Sequence, residues 1–523
     1  MQTSKSRSEF DVIVVGSGPG GSIVAARLAE FGVNQRNGEK LRVALFEWGP
    51  YHKGEPKRGY GIPERRAAFD GMPYELSRRY MLPWGTLGMV GGSTHWAGMI
   101  AHPPVEIDVE HWRAETGVDW TWEGFKEPLE EVYAMWHPYP EPAGIRSRGQ
   151  EMFKAAAESL GHTVHEAAQA KLNCPRCGDC NGRVCKYDAK STPLVNYIPI
   201  AERHGVQIFP QTPVEKVLIE RRGARPVVTG VVARRDGRLE EVKSGAVVVA
   251  CGYNGTPRLL FRSGYGPRDK VQGELLAENR NVGANLVCSV NARGIQMMFG
   301  EAIVHPDIGV HTVYHVERTD DTGRHHLMVG ESMGHREGTR AFPEDRVMYP
   351  FAPQYGTALK EYMRTCTTHI GHLRVELAKT ALRGNIDGDG RVTFGGNNVE
   401  EEDRGGVHRQ FLEAHHPRIL ATLREGREIA GQIARLLKPV RVEGLDALPD
   451  VFSTNHNHGT CRAGAARENS VVNSDLESHD VDRLFIADAS TIPFQCAANP
   501  GMPTAAICSY GWRRIVAKHF TRA

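Results

Sequence analysis

Residues 11–30 read DVIVVGSGPGGSIVAARLAE, an apolar run followed by a glycine-rich turn and a segment with helical periodicity. The apolar run predicts a buried β-strand over residues 11–15, and the last part predicts a helix. In the turn, Gly16 permits a tight bend, Gly18 lets a pyrophosphate approach the backbone, and Gly21 lets helix and strand pack closely. The stretch therefore predicts a dinucleotide-binding βαβ unit with phosphates at the helix N-terminus.

The next strand supports this interpretation. Residues 42–46 form a second apolar run that ends at Glu47, the acid expected to bind a ribose hydroxyl. Its separation from the glycines is longer than usual because residues 33–40, VNQRNGEK, form a polar insert. The order of strand, glycines, helix, strand and acid is much more specific than the glycine motif alone.

A histidine and an asparagine flank a short strand near the C-terminus. His456 precedes the apolar run at residues 484–486, and Asn499 follows it in an Asn-Pro-Gly turn that predicts a helix start. Histidine is the usual general base near neutral pH, and asparagine can hold a hydroxyl without titrating. Either residue alone is most simply a loop hydrogen-bonding group, but one fold-back would bring both to a common cavity.

Composition excludes several functions. The 523 residues include 64 Lys and Arg and 62 Asp and Glu, so the charge balance does not favour nucleic acid as a partner. No apolar run is long enough to cross a bilayer. The N-terminal residues MQTSKSRSEF contain no hydrophobic secretory segment, so we expect a cytoplasmic protein, or a periplasmic one exported with a signal-bearing partner subunit.

A second glycine-rich stretch, GTLGMVGGSTHWAGM, spans residues 85–99. Glycines around a few bulky residues favour a backbone that lies against a flat ligand, since glycine removes the side-chain obstruction. We assign Gly92, Ser93 and His95 to this contact.

Together these motifs resemble the glucose-methanol-choline (GMC) oxidoreductases. The resemblance rests on GSGPGG near the N-terminus and spans nearly the whole chain through VGGSTHWAGM at 90–99, NVGANL at 281–286, HNHGT at 456–460 and NPGMPT at 499–504. It implies an α/β fold like that of p-hydroxybenzoate hydroxylase, with a Rossmann-like FAD-binding domain and an antiparallel-sheet substrate domain. It also implies FAD as cofactor and a small alcohol or sugar as substrate.

The resemblance assigns roles to further residues. The family's H-x-x-G-T motif selects His456 over His458 as the active-site histidine, with Asn499 as its partner. The backbone near Val214 is expected beside the adenine. In the closing ADAS and NPGMPT motifs, further cofactor contacts are assigned to Asp488, Pro500 and Met502.

His95 has two interpretations under the same resemblance. Some pyranose oxidases attach FAD covalently through the histidine of a similar STHW segment. This sequence lacks the extra residue that those enzymes carry between the glycines and the serine, which favours a histidine packed near the flavin ring without a bond.

Four cysteines form a separate cluster, with C-x2-C-x2-C-x4-C spacing over Cys174, Cys177, Cys180 and Cys185. Four thiolates in one compact loop suit an iron-sulfur cluster, while zinc or disulfides are the alternatives. Some GMC dehydrogenases carry a [3Fe-4S] cluster in a cysteine-rich insert at a comparable place. We therefore predict a cluster of the 3Fe-4S or 4Fe-4S type.

The predicted function is a dehydrogenase. His456 would take the hydroxyl proton, the carbinol hydrogen would leave as hydride to flavin, and the cluster would pass electrons singly to a cytochrome or quinone. A small export or chaperone subunit and a cytochrome subunit are compatible partners. The alternatives are a flavin oxidase that uses oxygen, with a structural cysteine loop, and a non-enzymatic electron carrier.

The predicted organisation follows the motifs along the chain. The FAD-binding domain is expected to be discontinuous, and its parts enclose a helical region and the substrate domain. The predicted limits are 1–105 for the first FAD-binding part, 106–200 for the helical region with its cluster loop at 170–190, 201–287 for the second FAD-binding part, 288–440 for the substrate domain, and 441–523 for the C-terminal FAD-binding part.

Overall fold

The fold was analysed in a computed structural model of the chain. It describes residues 10–51, 88–95, 97–176, 185, 187–223, 225–303, 313–320, 326–333, 351, 356–394, 397–398, 406–445, 448–496 and 499–522.

Helices and strands alternate along most of the described chain. The α-helices are α1 Pro19–Phe31, α2 Glu106–Thr116, α3 Trp122–Trp136, α4 Arg148–Ser159, α5 Tyr197–Arg203, α6 Gly252–Arg262, α7 Gly356–His369, α8 Arg409–His415, α9 Pro417–Leu437 and α10 Gly501–His519. The strands are β1 Val12–Val15, β2 Gly32–Val33, β3 Val43–Phe46, β4 Ile100–Ala101, β5 Pro138–Tyr139, β6 Val164–Glu166, β7 Ala168–Ala170, β8 Gln207–Phe209, β9 Val214–Arg222, β10 Arg225–Arg235, β11 Arg238–Lys243, β12 Val247–Val249, β13 Tyr265–Gly266, β14 Ala277–Glu278, β15 Val287–Met298, β16 Tyr314–Thr319, β17 His326–Met333, β18 Ile370–Lys379, β19 Gly384–Ile386, β20 Val392–Phe394, β21 Asn397–Asn398, β22 Gly406–His408, β23 Arg441–Glu443, β24 Val451–His458, β25 Leu484–Ile486 and β26 Thr521–Arg522.

A five-stranded parallel sheet carries the N-terminal glycine motif. Its strand order is β25-β12-β1-β3-β8, and every neighbouring pair is parallel. Strands β1, β3, β12 and β25 are buried throughout, as their continuous Val, Ile, Leu and Phe runs predict. Helix α1 packs between α10 and α5, so the last long helix of the chain lies against the first.

An eight-stranded antiparallel sheet forms the second half of the molecule. Strands β22-β24-β15-β18-β17-β16-β6 form its main path, and β23 pairs with β15. Burial alternates along the middle of β18. Leu373, Val375 and Leu377 are fully buried, whereas Arg374 between them is exposed and Glu376 is half-buried. Helices α4 and α9 pack against the sheet, and the apolar side chains belong to a second hydrophobic core. One apolar and one polar face are typical of an antiparallel sheet.

The predicted fold class, a Rossmann-like half joined to an antiparallel substrate half, is confirmed by these two sheets and by the structural neighbours described below. The apolar periodicity of residues 409–437, RQFLEAHHPRILATLREGREIAGQIARLL, predicts a single helix, and this prediction is wrong in one respect. The segment consists of α8 and α9, separated at His416. Pro417 is the cause, because proline lacks the N–H needed inside a helix and disfavours a helical residue before it.

Among the described residues, no helix has both the length and the apolar composition needed to cross a bilayer.

Candidate active site

The first glycine turn leaves space in front of helix α1. Gly16 has φ +101°, and a Cβ there would lie 2.3 Å from the carbonyl oxygen of Ala250. A Cβ on Gly21 would lie 1.9 Å from the carbonyl oxygen of Gly16, so only glycine permits this packing. A Cβ on Gly18, by contrast, would meet nothing within 4 Å. The open side of the turn at the helix N-terminus suits a pyrophosphate.

Glu47 lies directly after β3 and is almost completely buried. Its carboxylate accepts hydrogen bonds from the backbone N–H of Ser17 at 3.1 Å and of Gly49 at 2.9 Å, and from the Ser17 hydroxyl. Burial raises the pKa of Glu47 to about 7, although these hydrogen bonds oppose the shift. The acid is therefore fixed beside the glycine turn, where the ribose of a dinucleotide is expected.

The second glycine-rich stretch packs onto the first. A Cβ on Gly92 would lie 2.6 Å from Cα of Gly18, so the two backbones are in close contact. His95 is buried, and its Nε2 lies 3.0 Å from the carbonyl oxygen of Val90 within the same loop. Ser93 is exposed on this loop. Gly92 thus lies against the turn at Gly18, and Ser93 and His95 follow it in the same short helical turn, Gly92–His95.

A buried lysine holds this loop from the other side. Nζ of Lys190 donates to the carbonyl oxygen of His95 at 3.0 Å and to that of Ala97 at 2.8 Å. Lys190 also forms a β-bridge with Lys171 at the base of the cysteine loop. The cysteine loop and the glycine-rich loop are therefore physically connected.

Asp488 follows β25 and joins it to helix α6. Its carboxylate accepts from the backbone N–H of Gly252 at 2.9 Å and of Ser490 at 2.7 Å, and from the Thr256 hydroxyl at 2.5 Å. Burial raises the pKa of Asp488. The side chain thus fixes the C-terminal edge of the parallel sheet, where ligands of open α/β sheets bind.

The other predicted cofactor residues border the same end of the molecule. Val214 begins β9 and is buried, and the preceding Thr212 donates its N–H to the carbonyl oxygen of Glu47 at 2.8 Å. Pro500 stands immediately before α10, and Met502 is buried in its first turn.

His456 has one ring nitrogen without a partner in the described part of the chain. It lies in β24 with φ +54°, a left-handed conformation that is uncommon for residues other than glycine and is typical of functional sites. Its Nδ1 lies 2.7 Å from Oε1 of Glu376 and 3.2 Å from Oγ of Ser289. Its Nε2 makes no hydrogen bond to any residue that the structure describes, and the side chain is 24% exposed. The geometry thus leaves Nε2 free to receive a proton.

His458 has the opposite arrangement. Its Nδ1 lies 2.7 Å from the carbonyl oxygen of His456, and its Nε2 lies 3.1 Å from that of Phe494. Burial lowers the pKa of His458 to about 4. Both ring nitrogens contact backbone carbonyl oxygens, so neither is available to take a substrate proton. His458 instead holds β24 against the backbone at Phe494.

Asn499 lies two residues before α10 and is half-buried. It follows Ala497 and Ala498, which lie outside the described residues. Among the described residues, no hydrogen bond joins Asn499 to His456. Their connection is indirect, because His458 links the strand of the histidine to Phe494, five residues before the asparagine.

Two of the four predicted cluster cysteines lie among the described residues. Cys174 and Cys185 are half-buried and not disulfide-bonded. The backbone N–H of Arg176 donates to Sγ of Cys174 at 3.3 Å, and that of Ala189 donates to Sγ of Cys185 at 3.4 Å. Cys177 and Cys180 lie outside the described residues. Within the described part of the chain, no group of three or more Cys, His, Asp or Glu residues forms a metal site.

Sequence comparison decides the family of this chain. The GMC oxidoreductase N-terminal model matches residues 10–290, and its C-terminal model matches residues 410–508. The chain is a GMC oxidoreductase. It is therefore an FAD flavoenzyme that oxidises CH–OH groups. The open turn at Gly18, the buried acid Glu47 and the glycine-on-glycine contact at Gly92 fit this cofactor.

Several curated relatives resemble this GMC oxidoreductase. The long-chain-alcohol oxidase FAO3 of Arabidopsis thaliana is 22% identical over 98% of this chain and 69% of its own length. The uncharacterised GMC-type oxidoreductase Rv0492c of Mycobacterium tuberculosis is 33% identical, over 51% of this chain and 41% of its own. The 6'''-hydroxyparomomycin C oxidase of Streptomyces lividus is 24% identical over 98% of this chain and 92% of its own.

Solved structures show the same fold. Pyridoxine 4-oxidase from Mesorbium loti matches this GMC oxidoreductase with a TM-score of 0.71 and 20% identity, over 98% of this chain and 100% of the other. A formate oxidase matches with a TM-score of 0.67 and 17% identity, over 99% of each chain.

Sequence reasoning did not find three polar residues of the site: Glu376 and Ser289, which contact the histidine, and His102 nearby. Burial lowers the pKa of His102 to about 4, and the charges of Glu376 and His456 also act on it. In the sequence these residues belong to no motif, and Glu376 had only one signal, a carboxylate in an otherwise apolar alternating strand.

Proposed function

We propose that this GMC oxidoreductase converts an alcohol or sugar hydroxyl to a carbonyl, with His456 as the base for the hydroxyl proton. The observation that carries the proposal is the arrangement of the imidazole, whose Nδ1 is held at 2.7 Å from Glu376 while Nε2 is left without a partner in the described part of the chain. A base needs one nitrogen fixed and the other open towards the substrate.

FAD, when bound, supplies the acceptor for the hydride that leaves the carbinol carbon. The chain's own residues orient the reacting groups. Asn499 is proposed to hold the substrate oxygen through its amide, which does not titrate. The N-terminus of α10, next to Pro500, is proposed to stabilise negative charge through its backbone dipole.

We propose that FAD is held without a covalent bond at His95. Nε2 of His95 lies 3.0 Å from the Val90 carbonyl oxygen, and the ring is buried. A neutral imidazole that donates from Nε2 is not oriented to offer that nitrogen to another group.

For the electron acceptor, we propose an iron-sulfur cluster on Cys174, Cys177, Cys180 and Cys185, which makes the enzyme a dehydrogenase. Two observations support it. The sulfurs of Cys174 and Cys185 each accept a backbone N–H, which stabilises thiolates that ligate metal. Lys190 also connects the base of this loop to His95, so the cluster would lie near the flavin-facing loop.

Oxygen is the second candidate acceptor. Relatives that match 98% of this chain include a long-chain-alcohol oxidase and a 6'''-hydroxyparomomycin C oxidase, which supports an oxidase with a structural cysteine loop. A cytochrome subunit and a small export or chaperone subunit are proposed as partners of the dehydrogenase. We propose a cytoplasmic location, and the alternative is a periplasmic one reached with a signal-bearing partner subunit.

One experiment tests the reaction and separates the acceptors. Purified holoenzyme is screened with sugars, polyols and primary alcohols, and turnover is followed by reduction of an artificial dye under argon and by peroxide formation in air. Dye reduction without peroxide supports the dehydrogenase, and peroxide formation at a comparable rate supports the oxidase. If neither assay gives turnover with any alcohol or sugar, the proposed substrate class is wrong.

A further inference from the structure

We propose that Glu376, together with Ser289, is the positioning residue for His456, and that its carboxylate keeps the ring proton on Nδ1 so that Nε2 faces the substrate unprotonated. This inference rests on the proposed role of His456 as the base. Neither residue belongs to a sequence motif noted above, and neither is the asparagine partner that the family resemblance assigns.

The three side chains form a closed triangle. Oε1 of Glu376 and Oγ of Ser289 lie 2.7 and 3.2 Å from the same nitrogen of His456. The Ser289 hydroxyl also hydrogen-bonds to the Glu376 carboxylate. An ionised carboxylate can only accept a hydrogen, and Oε1 of Glu376 is buried 2.7 Å from Nδ1 with no other hydrogen-bond partner in the described part of the chain. In the proposed arrangement Nδ1 therefore carries the hydrogen and Nε2 carries the lone pair, which is the tautomer needed for proton abstraction.

The backbone brings the triangle together from three adjacent strands. Ser289 lies on the central strand β15, Glu376 on β18 to one side and His456 on β24 to the other. Asn291, two residues from Ser289, is directly opposite Glu376, so Ser289 and Glu376 share one face of the sheet. The β15–β24 register shifts between Val287 and Ser289. Such an irregularity re-aims a side chain, and here it coincides with the left-handed φ of His456.

The surrounding charges make Glu376 the main anion at the histidine. Burial alone would raise the pKa of Glu376, but the contact with His456, with smaller contributions from Arg374 and Ser289, lowers it to about 2. Two further ionisable groups near this site, His102 and His458, both have pKa values lowered to about 4 by burial. The charges of His315 and Glu317 also act on His102, and that of Arg383 acts on His458. His102 and His458 are therefore neutral at pH 7, and the Glu376 carboxylate remains ionised there.

The same contact supports the reaction. When the substrate hydroxyl gives its proton to Nε2, His456 becomes an imidazolium with hydrogens on both nitrogens. The new positive charge is then 2.7 Å from a carboxylate, which stabilises it more than the neutral ring. The proton later leaves Nε2 to solvent, and Glu376 itself neither gains nor loses one.

The test uses the holoenzyme with Glu376→Gln, which keeps the shape and removes the charge, and Glu376→Asp, which keeps the charge. The matched control is Glu317→Gln. Glu317 is a carboxylate of the same sheet, on strand β16, which is separated from β18 by β17. It contacts His315 at 2.7 Å and has no described contact with His456. The first readout needs no substrate: the rate at which diethyl pyrocarbonate modifies His456 is measured against pH by peptide mass spectrometry, because the reagent attacks only neutral imidazole.

We expect this modification profile to move to lower pH in Glu376→Gln, since the opposite charge that faces Nδ1 is removed. Glu376→Asp should restore part of the shift, and Glu317→Gln should leave the profile unchanged. An unchanged midpoint in Glu376→Gln would overturn the inference, and so would an equal shift in the Glu317 control.

Turnover with an alcohol identified in the screen separates this inference from the proposed function. Glu376→Gln should lower kcat by about tenfold, less than removal of a base costs, and move the acid limb of the kcat profile to lower pH. If His456→Asn retains normal turnover, the proposed function fails. If His456→Asn is inactive while Glu376→Gln keeps the wild-type rate and limb, only the role of Glu376 is wrong.

Discussion

Lys190 and His95 are joined by a hydrogen bond from Nζ of the lysine to the backbone carbonyl oxygen of the histidine, at 3.0 Å. The same ammonium group reaches the carbonyl oxygen of Ala97 at 2.8 Å, and the lysine side chain is buried. The Lys190 ammonium group thus takes the place of water as the hydrogen-bond donor to two backbone carbonyls. These carbonyls belong to the glycine-rich loop that packs on the turn at Gly18.

Lys190→Met should therefore weaken FAD retention and lower the melting temperature. Methionine fills a similar volume but donates no hydrogen bond, and each carbonyl left unpaired in a buried place costs about 1–3 kcal/mol. Flavin released on desalting and the unfolding temperature measure the two effects. Lys216→Met, at an exposed lysine of β9, is the control and should change neither. Wild-type FAD retention in Lys190→Met would contradict the prediction.

His456→Asn should keep its FAD and lose turnover by about 10²–10⁴-fold, the usual contribution of a positioned general base. Asparagine is chosen because it tolerates the left-handed backbone at φ +54°. Absorbance spectra and dye reduction provide the measurements. His458→Asn is the contrasting variant: it removes hydrogen-bonding groups between β24 and Phe494, so its main effect should be a lower melting temperature. Near-normal turnover in His456→Asn would remove this histidine from the base role.

Glu47→Gln should weaken FAD binding and also change its pH dependence. Above pH 7 the wild-type carboxylate is ionised and accepts ribose hydroxyls strongly; as the pH falls through the raised pKa of about 7 it protonates, and affinity should fall. The amide should bind about tenfold more weakly at pH 8, since a hydrogen bond to a charged group contributes about 1.5–3 kcal/mol.

Flavin fluorescence quenching with FAD-depleted protein at pH 6 and pH 8 measures both effects. Glu39→Gln, at an exposed position in the loop before β3, is the control. A wild-type affinity that does not change between the two pH values would show that Glu47 does not titrate as its burial predicts.

Acid precipitation should remove all flavin colour from the protein. His95 is buried and its Nε2 is directed at the Val90 carbonyl oxygen, so we expect no covalent bond from Nε2 to the flavin. FAD should therefore dissociate once the fold is lost. The absorbance of the washed pellet, redissolved in denaturant, is compared with that of the supernatant. Flavin that stays with a peptide containing His95 would establish the covalent alternative.

Anaerobically purified protein should contain iron and acid-labile sulfide and give a paramagnetic resonance signal. Cys174→Ser and Cys185→Ser should each lower the iron content, because each removes one of the proposed thiolate ligands. Cys288→Ser, at a buried thiol outside the loop, is the control and should retain the metal. Iron-free protein that still oxidises alcohols would leave the cysteine loop structural and favour oxygen as acceptor.

Local sequence was sufficient to predict the elements that position the cofactor. Strands expected at 11–15, 42–46 and 484–486 are observed at 12–15, 43–46 and 484–486, because a continuous apolar run bounded by glycine or charge leaves few alternatives. The break before Pro417 was not predicted, although proline seldom continues a helix from the preceding turn.

The surroundings of His456 could not be predicted in this way. Ser289 is 167 residues away in the chain, and both it and Glu376 reach the histidine only through the register of three antiparallel strands. Register depends on which side chains fit the buried face, and a shift of one residue would turn Glu376 away from the site. The H-x-x-G-T motif was therefore sufficient to select His456, whereas its contact with Glu376 became visible only in the folded sheet.

The strand order of the parallel sheet also bears on how the chain folds during synthesis. Strand β1 precedes the antiparallel half in the sequence, whereas β25 and α10, which complete its sheet and cover α1, follow that half. The ribosome therefore makes the antiparallel half before the FAD-binding half can close. Contacts so distant along the chain form slowly, and we expect nascent chains that stop before residue 484 to be unable to capture flavin.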